Sequence, residues 1–268
     1  MEDLSKYNPE GSLLRKMQLR MLEMLIAVDK VFRNNNIQYW MGFGTLLGAA
    51  RHKGFIPWDD DIDLCIMRSD YKKARQALIN ELPNQFVFQD SSTDKYAFFN
   101  YARIRDTHSK CDYPHFRKLK EQGLWLDIFT FDTVPSSKAL KFVDNFYRRT
   151  YHETHHFGDV AYTSLLKRCF NKTAGYLLHP ISLILFHTTN WIGKISNTPF
   201  IGRYGLKIDR VYRTEYLFPL CELEFEGHKF LAPNNWDAHL REEYNNYMQI
   251  PPEDKREQIL DLTKVEIW

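Results

Sequence analysis

The chain has 268 residues, 44 % of them hydrophobic and 26 % charged, with 36 Lys+Arg against 34 Asp+Glu for a formal charge of +2. That length is enough to bury a sizeable core, the composition is that of an ordinary globular protein, and the near-balance of charge excludes a nucleic-acid binder driven by overall electrostatics. Cys65, Cys111, Cys169 and Cys221 are scattered with no Cys-x-x-Cys pair, which argues against a structural zinc or dithiol redox site.

Apolar residues at a period near 3.6, among them Leu14, Met21, Leu25, Val28 and Phe32, predict an amphipathic helix from Ser12 to Asn34. Asn34-Asn35-Asn36 ends it, and Ile37 to Met41 reads as the first core strand. Gly42-Phe43-Gly44-Thr45 then reads as a strand-to-helix turn. Gly44 would let backbone approach a ligand closely, and Thr45 is expected as the cap of a short helix whose N–H groups face an anion. Arg51, His52 and Lys53 follow as candidate phosphate partners.

Pro57-Trp58-Asp59-Asp60-Asp61-Ile62-Asp63 sets four carboxylates within five consecutive positions. Like charges so close repel strongly unless a cation joins them. Residues 62–67 form a candidate strand, and alternation would place Asp61, Asp63 and Cys65 on one face, with Ile62, Leu64 and Ile66 toward a core. Two parallel carboxylates on a strand suit Mg²⁺, with Mn²⁺ as an alternative, shared with substrate phosphates. The glycine turn lies 17 residues before Asp61, so an anion cradle adjoins an expected metal site.

Ser69 is expected to cap a helix running to about Leu82, stopped by Pro83, with strands at Phe86–Phe88 and Ala97–Ile104. Arg103 and Arg105 on the second of these are further candidate phosphate ligands, able to pair in a bidentate fork. Leu124 to Phe129 alternates so that Trp125, Asp127 and Phe129 share a face. A carboxylate between two aromatics needs a partner, and either a metal or an Arg would serve. Asp132, near Pro135, reads as a turn residue. Beyond Pro135 the pattern is helical, and the apolar run from Gly175 to Phe186 is too short to span a bilayer. It reads as a buried helix, although its basic flank also suits one lying at a membrane interface.

The fold class expected is α+β: a mixed sheet flanked by helices, with an N-terminal helical segment (1–36), a core (37–135 plus 206–268) and a helical insert (136–205) that suits a substrate- or membrane-facing region. Early charges at Glu2, Asp3, Lys6 and Glu10 interrupt any leader-like run, so the expectation is a cytoplasmic protein, with peripheral contact at the inner face of the plasma membrane if the insert is interfacial.

Gly44-Thr45-Leu46-Leu47-Gly48, Arg51 to Asp63 and Asp70-Tyr71 together resemble the signature of the LicD family of phosphocholine transferases, related to fukutin-type ribitol-phosphate transferases. The C-terminal Phe225-Glu226-Gly227 and Tyr247 to Arg256 are also similar, whereas Tyr244-Asn245-Asn246-Tyr247 stands where the family carries Tyr-Gly-Asp-Tyr. The resemblance implies a nucleotidyltransferase-like core, a third metal-binding carboxylate on a neighbouring strand (Asp127 fits), and transfer of phosphocholine from CDP-choline to a hydroxyl of a teichoic acid or other surface glycan precursor, lipid-linked in some cases, with release of CMP. Asp61, Asp63 and Asp127 would then be both metal ligands and the catalytic set, Asp127 also taking the acceptor proton. Gly44, Thr45, Arg51, Lys53, Arg103 and Arg105 would hold phosphate. Trp58 and Trp125 would cage the trimethylammonium, with Tyr96, Phe98 and Tyr101 in reserve. Another polyol phosphate from a CDP donor, nucleotidyl transfer from an NTP, and a non-catalytic scaffold remain open alternatives at this stage.

Overall fold

The computed structural model describes residues 3–97, 99, 101–135, 138–155, 165–203, 211–256 and 260–268. Phe98 and the expected domain boundary at 205–206 lie outside them.

The chain opens with α1 (Leu13–Asn34), whose first turn is capped by the Ser12 hydroxyl accepting the Arg15 amide at 3.2 Å. Its stripe of Met17, Met21, Met24, Leu25, Val28 and Phe32 is wholly buried, each side chain worth about 1.5–3 kcal/mol. Asn36, at a φ of 49°, turns the chain into β1 (Tyr39–Met41). Then come α2 (Phe43–His52), β2 (Asp63–Met67), α3 (Arg68–Glu81), β3 (Phe86–Gln89), β4 (Ala102–Asp106), β5 (Ser109–Cys111) and β6 (Trp125–Thr133). The helices α4 (Lys138–His155) and α5 (Leu165–Ile195) follow, then β7 (Phe200–Gly202), β8 (Tyr212–Arg213), α6 (Thr214–Leu217), β9 (Cys221–Phe225), β10 (His228–Ala232), α7 (Trp236–Tyr244) and β11 (Val265–Ile267).

The main sheet runs β1-β2-β6-β4-β3, and β7 and β8 extend it from the far half of β6. The β2–β6 pair is parallel and the other ladders of this sheet are antiparallel, so the fold is α+β with a mixed sheet, as expected. One face of the sheet, carrying Met41, Leu64, Ile66, Ile104, Leu126 and Ile128, joins the main core. The other carries Trp40, Cys65, Phe129 and Phe131 into a smaller cluster with Ile201 and Tyr212. Period-two alternation along β2 and β6 therefore puts Leu64, Ile66, Leu126 and Ile128 on one side, and Asp63, Cys65, Asp127, Phe129 and Phe131 on the other.

Several local expectations need correction. The second predicted strand begins at Ala102, not Ala97, because Asp94 to Ala97 closes a turn (Ala97 N–H to Asp94 carbonyl, 2.9 Å). Ser69 is exposed inside the first turn of α3, and the N-cap position is Met67. Asp132 is not a turn residue: β6 continues to Thr133, and buried Asp132 takes Arg68 Nε at 2.7 Å and Asn190 Nδ2 at 3.2 Å. A run of strand residues that pairs first with β2 and then with β7 is longer than its apolar alternation alone announces. The Gly175–Phe186 run lies in α5 and is buried only along one stripe (Gly175, Ser182, Phe186), whereas its larger aliphatic residues face outward: Leu177 is 70 % and Ile184 65 % exposed.

Candidate active site

The register of the parallel pair builds the site. Asp63 opens β2 opposite Asp127 on β6, and Arg103 of β4 lies opposite Asp127 from the other side. In-register partners on adjacent strands sit about 4.8 Å apart, so two carboxylates and a guanidinium meet in one row. Asp61 precedes the strand instead of lying in it, yet the backbone is already in the ladder at the next residue, where the Asp127 amide donates to the Ile62 carbonyl at 2.8 Å.

The turn before α2 is shaped to fit this row. Gly42 donates to the Asp63 carbonyl at 3.0 Å, and the Asp63 amide donates to the Thr45 hydroxyl at 2.8 Å. The N-cap of α2 is thus Gly42, and Thr45, expected there, sits in the first turn and clamps the helix onto β2. A Cβ on Gly42 would fall 2.5 Å from Cys65 Sγ, and one on Gly44 would fall 2.8 Å from Asp59 Oδ2. The close approach that Gly44 permits is therefore to a carboxylate of the chain itself.

Asp59, Asp60 and Asp61 bring carboxylate oxygens within 4.8 Å of one another. Asp60 turns toward the C-terminal segment, where its Oδ2 accepts the Leu260 amide at 2.6 Å. Asp59 and Asp61 belong to the same electrostatic cluster as Asp63 and Asp127. Burial, then Asp60, push Asp59 up to about 7. Burial, then Asp59 and Asp127, hold Asp61 well above the carboxylate range; burial, then Asp61 and Asp127, do the same to Asp63. Asp127 is raised by burial against the pull of Arg103. Packed carboxylates that resist ionisation together are the donor set a hard divalent cation satisfies, so the residues present fit such an ion.

Of the two partners considered for Asp127, the structure supplies the Arg. Arg103 Nε donates to Asp127 Oδ1 at 2.7 Å and Nη2 to the Tyr101 hydroxyl at 3.0 Å. Its guanidinium is boxed by Phe99 (4.6 Å) and Trp125 (4.7 Å). Such an outer partner fixes the orientation of a ligating carboxylate. Held in this way, Asp127 suits a positioned ligand better than the proton acceptor expected of it.

The remaining expected residues separate. Arg105 is fully buried, donating to Gln89 Oε1 (2.9 Å) and the Gly123 carbonyl (2.8 Å), and burial lowers it to about 9; it braces the sheet and reaches no phosphate. Arg51 is spent on the tail, with Nη1 donating to the Tyr247 carbonyl at 2.8 Å. Lys53 is exposed in a left-handed C-cap at φ 57° and pairs with Glu224 at 3.9 Å. The proposed cage is already filled: Trp125 carries Arg103 and Arg105 at 4.7 and 5.1 Å, and Trp58 is packed by Tyr7 (5.2 Å) and Arg256 (5.1 Å). Tyr96 stands with Lys95 over its ring. Both tryptophans are core residues whose faces other cations took first.

Sequence reasoning missed Arg203 and Tyr244. Arg203 lies over the Phe43 ring at 4.2 Å and near Phe129 at 5.7 Å, and its charge opposes the rise of Asp63. Tyr244 feels both Asp63 and Asp59, which help burial and Glu243 to raise its phenol. Arg203 had no local signature and Tyr244 only its place in the family-like tail; tertiary packing brings both to residue 63.

A sheet that presents paired carboxylates beside a helix N-terminus, with Arg103 from β4 and Arg203 just past β7, suits phosphoryl transfer, and relatives of the chain are phosphotransferases. The LicD/FKTN/FKRP nucleotidyltransferase domain model matches residues 36–176, more than half of the chain, and the chain belongs to that family. It is similar to the lipopolysaccharide cholinephosphotransferase LicD of Haemophilus influenzae, at 29 % identity over 90 % of this chain and 93 % of that protein. It is also similar to the ribitol 5-phosphate transferase FKRP of Mus musculus, 40 % identical over 28 % of this chain and 15 % of that one, and to an uncharacterized protein of Rickettsia prowazekii, 40 % identical over 29 % and 27 %.

Proposed function

We propose that this phosphotransferase moves phosphocholine from CDP-choline to a hydroxyl of a surface glycan and releases CMP, with Mg²⁺ (or Mn²⁺) as cofactor. The observation that carries this reading is the register of Asp63 with Asp127, to which Asp61 and Asp59 are coupled electrostatically. Those carboxylates would hold the divalent ion, which when bound supplies charge neutralisation on the donor diphosphate. The bond from phosphorus to the CMP oxygen breaks while one forms to the acceptor oxygen, CMP carries away the electron pair, and the acceptor hydroxyl's proton passes to water. Arg203 is placed to bind the diphosphate, and the first-turn amides of α2 offer it donors. Arg103 keeps Asp127 in orientation. The lipopolysaccharide named for the Haemophilus relative and the teichoic acid of the initial expectation both present such acceptor hydroxyls.

The choline head group would sit away from the filled tryptophans, in a cavity of about 190 Å³ walled by Tyr71, Phe99, Tyr101, Tyr147, Tyr151 and Asp90, where the Arg of the lining, Arg68, is paired with Asp132 at 2.7 Å. Aromatic faces with a carboxylate hold a trimethylammonium without hydrogen bonds, at about 0.5–2 kcal/mol per ring. Burial works against Asp90, but hydrogen bonds from Ser92, Tyr71 and Thr93 bring it below the usual carboxylate value, so it stays charged. Tyr101 links this cavity to the Arg103–Asp127 pair.

CMP release from CDP-choline and from CDP-ribitol tests the reading. CDP-choline should be the better donor, and Tyr151→Leu should weaken it about tenfold while sparing CDP-ribitol. Equal losses with both donors reject the cavity. Turnover of CDP-ribitol with none of CDP-choline rejects the head group.

A further inference from the structure

Helix α5 is amphipathic in the wrong sense for a helix in water. Its inward stripe is small and polar: Gly175, Ser182, Asn190 and Gly193 are buried together with Phe186. Ser182 meets Thr150 of α4 at 2.7 Å, Asn190 binds Asp132, and a Cβ on Gly193 would lie 2.7 Å from the Thr133 carbonyl. Its outward stripe is apolar. Phe170, Leu177, Ile181, Ile184, Trp191 and Ile195 recur at helical spacing and are between 50 % and 74 % exposed. A helix facing water carries the reverse arrangement.

We propose that this face of α5 docks flat on an anionic lipid surface. Charge selects the occupant. The sequence of α5 holds Lys167, Arg168, Lys172 and Lys194 and no Asp or Glu across 31 residues, and α4 adds exposed Lys141, Arg148 and Arg149 next to exposed Phe142. Basic residues beside an apolar stripe match a bilayer whose head groups are negative. Trp191 and exposed Tyr176 are the amphipathic rings that settle at head-group depth. Spanning is excluded for this helix, since no described helix is long and apolar enough to cross a membrane. Lying in the interface, α5 would extend about 46 Å along the surface. Because α4 contributes Tyr147 and Tyr151 to the aromatic cavity, docking of this pair would hold the transfer site at the lipid, where a lipid-linked acceptor arrives. The inference does not depend on which donor is used.

Vesicle co-sedimentation tests it. The wild-type protein should bind phosphatidylcholine vesicles containing about 30 mol % phosphatidylglycerol at least about tenfold more tightly than pure phosphatidylcholine, and lose that binding in high salt. The Leu177→Gln/Ile184→Gln double variant changes only exposed side chains, so it should keep its circular dichroism and its CMP release in solution while its vesicle binding falls about tenfold. Absence of wild-type binding, or unchanged binding by the variant, overturns the proposal. So does a concentration-dependent dimer in light scattering that the same substitutions dissolve, which would assign the face to a second copy of the chain.

Discussion

Asp63 and Asp127 illustrate what a single residue reveals. Each stood in a short alternating run, and alternation fixes the face of a side chain. Their shared side of the sheet was therefore legible, and Cys65 came with them. Arg203 and Tyr244 were not, because packing between distant segments brings them in. Asp61→Asn and Asp63→Asn should each lower kcat by about 10³-fold or more while circular dichroism stays unchanged, since the amide keeps size and loses the ligand charge. A near-normal rate in either variant would remove that residue from the ligand set. For Arg203→Ala the expectation is a KM for the CDP donor raised about tenfold or more, the worth of a lost charged hydrogen bond. An unchanged KM would leave Arg203 with only its contact to Phe43.

At the scale of elements, motif residues divide between chemistry and construction. Glu226 and Gly227 form the two-residue turn of the β9–β10 hairpin, both at positive φ (50° and 77°). Glu226 then reaches across to Arg15 of α1 at 2.7 Å and to the Phe55 amide at 3.2 Å. A Cβ on Gly54 would lie 2.4 Å from Glu226 Oε1. The family-like Gly54 and Glu226 are thus a latch between α1, the hairpin and the acidic loop. Their pattern was visible in the chain, but their role was not, because the partners are 171 and 211 residues apart along it. Glu226→Ala should cost about 2–3 kcal/mol, read as a lower Tm with the site chemistry intact. Asn245 has a φ of 57° and a ψ of −109°, a backbone setting that favours the glycine of the family pattern. Asn245→Gly should raise stability by about 1 kcal/mol in chemical denaturation. A loss of stability there would show that the Asn side chain is needed.

The whole molecule places an acidic cluster at the edge of its core, and that placement couples stability to pH. With divalent ions chelated, Asp59, Asp61 and Asp63 hold protons in the folded state that the unfolded chain releases near pH 4. The Asp59 contribution is fully present below that value and is lost as pH rises toward about 7, and the raised Asp61 and Asp63 act in the same direction. Metal-free Tm should therefore fall between about pH 5 and pH 7.5, and Mg²⁺ or Mn²⁺ should restore more at the upper end, where the ionised form binds the ion. A Tm that is flat with pH, or equal rescue at both ends, would contradict the clustering. The N-terminal helix could be read from periodicity alone, and the α+β plan from periodicity together with the family-like motifs. The reversed polarity of α5 could not, because a helical period gives the stripe and not the side that faces the protein.

The central claim is that Asp61, Asp63 and Asp127 form a divalent-cation site that activates a CDP donor. CMP production from CDP-choline across a Mg²⁺ titration, ended with EDTA and run beside Asp63→Asn, tests it most directly. The account predicts saturable Mg²⁺ dependence in the wild type, complete arrest by EDTA and no dependence left in the variant. CMP formation that continues in EDTA, or a variant that responds to Mg²⁺ as the wild type does, would contradict it.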